Sequence, residues 1–133
     1  MRRLLLFALL GLLVAGCGAR SSRTFTAKGT AGCLKDKHFT QVTTDPAKVG
    51  FIAGFAANGG IKATSPNGNV VTIAFTEDSN SVASTEKAFR LHAPLSLRSH
   101  MQDVMSTNQN AVIVWTVGAS SDDASAVTGC LSP

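Results

Sequence analysis

Ile61-Lys62-Ala63-Thr64-Ser65-Pro66-Asn67-Gly68-Asn69-Val70-Val71-Thr72-Ile73-Ala74-Phe75-Thr76 carries the strongest structural signal in the chain. β-Branched and aromatic residues fill the second half, and Pro66 to Asn69 supply the residue types that tight turns demand. The reading is an antiparallel hairpin of residues 61–65 and 70–76. Strand side chains alternate, so Val71, Ile73 and Phe75 point one way and Val70, Thr72 and Ala74 the other. A second strand signal lies at residues 111–117, Ala-Val-Ile-Val-Trp-Thr-Val. It is apolar on both faces, which places it in the interior of a sheet.

Helix signals alternate with these strands. Asp45-Pro46 is a start, with Asp45 as N-cap and Pro46 at the first helical position. Val49, Ile52, Phe55 and Ala56 follow at helical spacing, and Asn58-Gly59-Gly60 ends the run. Residues 50–57 are apolar almost all round, which predicts a well-buried helix. The Gly50-x-x-x-Gly54 spacing suits close packing of that helix on a sheet. Asp78-Ser79 caps a second helix reaching about His92, which Pro94 prevents from running on. Residues 120–123, Ser-Ser-Asp-Asp, open a last short helix carrying Ala126, Val127 and Cys130. Residues 38–44 read as a strand, and residues 31–37 as a single helical turn with Cys33 and Leu34. Residues 94–110 have no clear period. Met101, Val104 and Met105 suit a short strand or a short helix; the strand is preferred because residues 107–110 look like a hairpin turn. This order predicts an α+β two-layer sandwich of the split βαβ, ferredoxin-like kind, an antiparallel sheet with helices on one face.

The chain has 133 residues, with 12 Lys and Arg against 8 Asp and Glu. Its basic character is uneven. Arg2, Arg3, Arg20, Arg23 and Lys28 precede residue 31, and from there on 7 basic residues face 8 acidic ones. Taken whole, a near-neutral domain carries too little positive charge for a nucleic-acid backbone, which argues against nucleic acid as partner.

The first residues read Met1-Arg2-Arg3, then an apolar run from Leu4 to Leu13, then Val14-Ala15-Gly16-Cys17. The run is too short and wrongly flanked for a spanning helix. Charged start, apolar run and cysteine box together resemble the signal peptide and lipobox of bacterial lipoproteins. The resemblance implies cleavage before Cys17 and a diacylglycerol on its thiol. It also implies a location in the cell envelope, anchored to the outer leaflet of the plasma membrane or to an outer membrane. The domain layout that follows is a signal peptide at 1–16, a lipidated flexible tether at 17–30 and one α+β domain at 31–133. Residues 18–30 are small and polar and show no period, with Phe25 as an isolated aromatic. An alternative gives Phe25 an extra edge strand. The mature chain is also similar to small two-cysteine lipoproteins of unknown function. The shared points are a cysteine before the first strand, the Asn67-Gly68 turn, the strand with Trp115 and the Cys130-Leu131 pair.

With Cys17 lipidated, Cys33 and Cys130 remain, an even pair in an exported domain and hence an expected disulfide. Free buried thiols or a metal pair are the rival readings, and no His or Cys at close ligand spacing favours the metal.

Chemistry has few candidates. His38, His92 and His100 are far apart in sequence with no metal spacing, and no cofactor signature is present. Glu77-Asp78 and Asp122-Asp123 read as helix caps, and Trp115 as core. Ser is abundant, yet no elbow or Ser-x-x-Lys pair activates one. The expectation is a membrane-anchored, non-catalytic module binding an envelope protein or a small ligand. The alternative is an enzyme with an unfamiliar site around His92, His100 and Asp103.

Overall fold

Residues 23–133 are described by the computed structural model; the expected signal peptide, the lipobox-like stretch and Cys17 lie outside them. In chain order the elements are α1 (Ala27–Asp36), β1 (Thr40–Thr43), α2 (Phe51–Gly54), β2 (Gly60–Thr64) and β3 (Val70–Phe75). A 3-10 turn (Ser79–Ser81) then leads into α3 (Val82–His92), α4 (Leu95–Arg98), α5 (Met101–Val104), β4 (Met105–Asn108), β5 (Ala111–Trp115) and α6 (Ser121–Cys130).

The strands form one five-stranded sheet in the order β1-β2-β3-β5-β4, with every neighbouring pair antiparallel. β2 and β3 are the expected hairpin: Ile61 lies opposite Ile73, and Ala63 opposite Val71. β5 is flanked by β3 and β4, as its two-sided apolar sequence requires. β3 and β4 therefore run in the same direction with β5 inserted between them and helices connecting them, which is a split βαβ unit. The edge strand β1 is bulged: Thr40 pairs with Thr64 and Thr43 with Lys62, and Gln41 between them has φ 51°. A bulge of this kind discourages a further strand from pairing there.

One face of the sheet presents Ile61, Ala63, Val71, Ile73, Phe75, Ala111, Ile113 and Trp115, none more than 4% exposed. α1 and α6 contribute Leu34, Val127 and Cys130 to this core. Each large side chain buried here is worth roughly 1.5–3 kcal/mol in removed apolar surface. The α+β sandwich is thus built on the face that the alternation of β3 selects. The reverse face has a smaller cover, so helices are not confined to the one face expected. Val49 and Ala53 pack on Ala74, with Ala56 and Phe89 beside them. Gly60 lies opposite Ala74, and a Cβ built there would come within 2.6 Å of the Ala53 methyl, so α2 rests on bare backbone.

Three local readings need correction. First, the fold begins before residue 31. Thr26 caps α1, its Oγ1 accepting from the Gly29 N–H at 3.0 Å, and Ala27, Thr30 and Leu34 are buried. The Phe25 N–H donates to Asn110 Oδ1 at 2.8 Å, and Asn110 Nδ2 donates back to the Phe25 carbonyl at 2.9 Å. Asn110 Nδ2 also reaches the Thr76 carbonyl at 2.8 Å. Phe25 is therefore clamped to the end of the sheet without becoming a strand, and residues 25–30 are not tether. The stabilising partner is 85 positions away, where no local period can show it.

Second, the helix after Asp45 is broken. Asp45 Oδ1 accepts from the Ala47 N–H at 3.0 Å, so the start signal is real, but Gly50 turns to φ 96° and only one helical turn, α2, follows. That φ suits glycine and strains other residues. The break turns Phe51 and Phe55 outward, 74% and 80% exposed, where burial was expected. Third, residues 94–110 contain helix and strand together: Met101 and Val104 belong to α5 and Met105 opens β4.

Candidate functional site

Cys33 and Cys130 are bonded, with Cα atoms 5.4 Å apart. The bridge joins α1 to α6 across the main core. Backbone reinforces it: the Thr26 N–H donates to the Ser132 carbonyl at 2.9 Å, and Thr30 Oγ1 accepts from the Ser132 N–H at 3.1 Å. Cys130 is 2% exposed, so the bond is a structural staple with no open approach to its sulfur at that end.

The histidines do not gather. His100 Nδ1 lies 3.7 Å from Asp103 Oδ2 in a pair that is mostly exposed. His92 ends α3 and faces Phe51 instead, ring centroids 6.2 Å apart. Among the described residues no group of three or more His, Cys, Asp and Glu is placed to hold a metal. His38 is exposed at the turn after α1, with φ 65°. Asp78 and Ser120 act as caps: Asp78 Oδ1 accepts from both the N–H and the hydroxyl of Ser81 at 2.9 Å, and Ser120 Oγ accepts from the Asp123 N–H at 3.1 Å. The Ser81 bonds hold the Asp78 carboxyl below its ordinary value of 3.8.

The site that the sequence did not reveal is a cleft on the reverse face of the sheet, between α2 and the helices that follow β3. It encloses about 350 Å³, with Thr72 and Val114 from the sheet at its floor. Ala53, Phe89, Leu97 and Met101 supply apolar walls, and the exposed Phe51 and His92 flank the mouth. Among the described residues only Thr72 and His92 bring polar side-chain atoms, and neither His100 nor Asp103 lines it. Phe51 also stacks obliquely on Phe55, centroids 5.0 Å apart. Arg98 closes the end of α3 nearby, Nε donating to the Ala93 carbonyl at 2.9 Å and Nη2 to the Leu91 carbonyl at 3.0 Å.

Such a volume is within the usual range for small-ligand sites, about 300–1,000 Å³, and its lining favours an apolar group oriented by one or two hydrogen bonds. Among the described residues, His92 is the one ionisable side chain lining the cleft. The sequence signal that could have located the cleft is Gly50, since it converts a buried helix into an exposed aromatic pair. No helix among the described residues is long and apolar enough to cross a membrane. No family model, curated protein or solved structure matches the chain.

Proposed function

We propose that this protein is a lipid-anchored module of a bacterial cell envelope that binds an apolar group, carried by a small ligand or a protein segment, without catalysing a reaction. The observation that carries the binding role is the lining of the cleft: apolar walls around Thr72 and His92, with no second acid or base lining it among the described residues. The anchor is supported by the order Arg2-Arg3, apolar run, Val14-Ala15-Gly16-Cys17. Two or more acyl chains on Cys17, each contributing about 0.8 kcal/mol per buried methylene, hold a protein stably on a membrane.

Detergent-phase partition of the native chain and Cys17→Ser tests the anchor. The native chain is expected in the detergent phase, and the variant as uncut precursor or in the aqueous phase. Equal partition of both after signal removal would end the anchored reading. Titration with an apolar, environment-sensitive dye tests the cleft. Leu97→Asp puts a carboxylate among its walls and should weaken dye binding about tenfold or more, since an uncompensated buried polar group costs at least about 1–3 kcal/mol. Unchanged affinity in a folded variant would place dye binding elsewhere.

A further inference from the structure

We infer that the face formed by α2, α3 and α4 seats on the anionic membrane surface to which the chain is tethered, an inference resting on the anchored reading proposed above. Four large apolar side chains stand exposed there: Phe51 at 74%, Phe55 at 80%, Leu91 at 60% and Leu95 at 79%. They belong to the helical cover of the reverse face, so their exposed sides point away from the sheet. On α3 the inward residues are Val82 and Phe89, and Leu91 falls on the opposite side of the helix from Val82.

Charge is sorted with them. From residue 31 onward, residues 45–56 and 82–98 carry Lys48, Lys87, Arg90 and Arg98 against only Asp45 and Glu86; the remainder has 3 basic residues against 6 acidic ones. Lys48 lies 3.5 Å from Asp45 in an exposed pair, and Asp103, the acid following α4, is paired with His100 at 3.7 Å. An apolar patch with surplus cations matches an anionic headgroup layer, in which aromatic and leucine side chains sit at the acyl boundary and Lys and Arg meet the phosphates. A second copy is a poorer fit, because a two-fold contact sets the same cations against each other. Reach also favours the membrane. Arg23 is six residues from Cys17, at most about 20 Å of extended chain. An anchored domain is never far from the bilayer, and docking requires only that it turn this face toward it.

The test places an indole at the patch. Full-length Phe55→Trp, purified with its anchor, is reconstituted into vesicles of phosphatidylcholine alone or equimolar with phosphatidylglycerol, with and without brominated lipid. Trp115 is 4% exposed and supplies a background measured on the native chain. The expected result is blue-shifted emission and loss of roughly half the introduced signal to brominated lipid on anionic vesicles, reversed by Lys87→Glu with Arg90→Glu. Vesicle flotation reads anchoring separately. A chain that floats while its indole keeps water-like, unquenched emission overturns the inference and leaves the anchor standing. A chain that does not float removes the anchored reading; quenching at millimolar lipid then still supports a membrane-seeking face, and its absence overturns it. A blue shift without vesicles, accompanied by a doubled sedimentation mass, assigns the face to a second copy and overturns the inference as well.

Discussion

Replacing Asn110 should loosen the domain more than any exposed change. Its side chain makes three hydrogen bonds: from the Phe25 N–H at 2.8 Å, to the Phe25 carbonyl at 2.9 Å and to the Thr76 carbonyl at 2.8 Å. Asn110 is 2% exposed, so water replaces these bonds poorly. Asn110→Ala loses all three, at about 0.5–1 kcal/mol each, with a further penalty, small at a partly buried residue, where a group is left alone. The Thr76 carbonyl keeps a partner, since Asn58 Nδ2 donates to it at 2.6 Å, so the penalty falls on Phe25. The total is about 2–4 kcal/mol. At roughly 2.1 cal/mol/K per residue for a domain of this size, each kcal/mol is worth about 4 °C, so Tm should fall by about 8–16 °C. Thermal melts by circular dichroism at neutral pH read this directly. Asn110→Asp is the informative partner: it keeps the acceptor for the Phe25 N–H, loses both donors and buries a charge, so it should fall at least as far. Amide exchange at Phe25 should accelerate in both. An Asn110→Ala melt within about 2 °C of the native value, set against net bonds of about 0.5–1 kcal/mol each, would show that the clamp contributes nothing.

Gly60→Ala sets a methyl 2.6 Å from the Ala53 Cβ and 2.5 Å from its carbonyl oxygen, and should cost about 1–3 kcal/mol by lifting α2. Gly32→Ala meets nothing within 4 Å in the middle of α1 and should instead stabilise by about 0.5–1 kcal/mol; urea midpoints that rank the two the other way would contradict this packing. Cys130→Ala opens a bridge between residues 97 positions apart. It should cost about 2–5 kcal/mol, seen as a lower melting temperature and faster limited proteolysis, and an unchanged melt would deny the staple its role. Asp78 has its pKa lowered from 3.8 by the Ser81 bonds, so its contribution is fully present above that value and is lost as pH falls through the lower folded value. Asp78→Asn should flatten the acid limb of Tm against pH below 3.8; superimposable limbs would show that the cap does not sense the proton.

Much of the sheet was legible because its signals are local. The hairpin of β2 and β3 rests on alternation and the Asn67-Gly68 turn, and the interior position of β5 on an apolar run with no polar face. The disulfide followed from an even count once Cys17 was set aside. What escaped depended on remote contacts. α1 buries Ala27, Thr30 and Leu34, which form a weak stripe of mostly small side chains, and it is held by Asn110 and Ser132 from far along the chain. The cleft escaped for a different reason. Phe51 and Phe55 obey a helical period that normally means core, and only the positive φ of Gly50 turns them outward. The sequence alone groups His92 with His100 and Asp103, yet helix geometry gives it Phe51 as neighbour.

The Cys33–Cys130 bridge also decides what becomes of a molecule that is cut. The junction of α3 and α4 exposes Leu91, His92, Pro94 and Leu95, open to a protease whenever this face is not seated on a membrane. A single nick there divides the sequence into a piece holding β1 to β3 and a piece holding β4, β5 and α6, and the bridge still connects them. In an oxidising compartment the nicked protein would persist as one particle, running as a single band until a reductant splits it in two. Once the fragments part, β3 loses its neighbour β5 and presents a long apolar edge. Reduction of the cleaved form would thus turn a tolerated scission into an aggregation event.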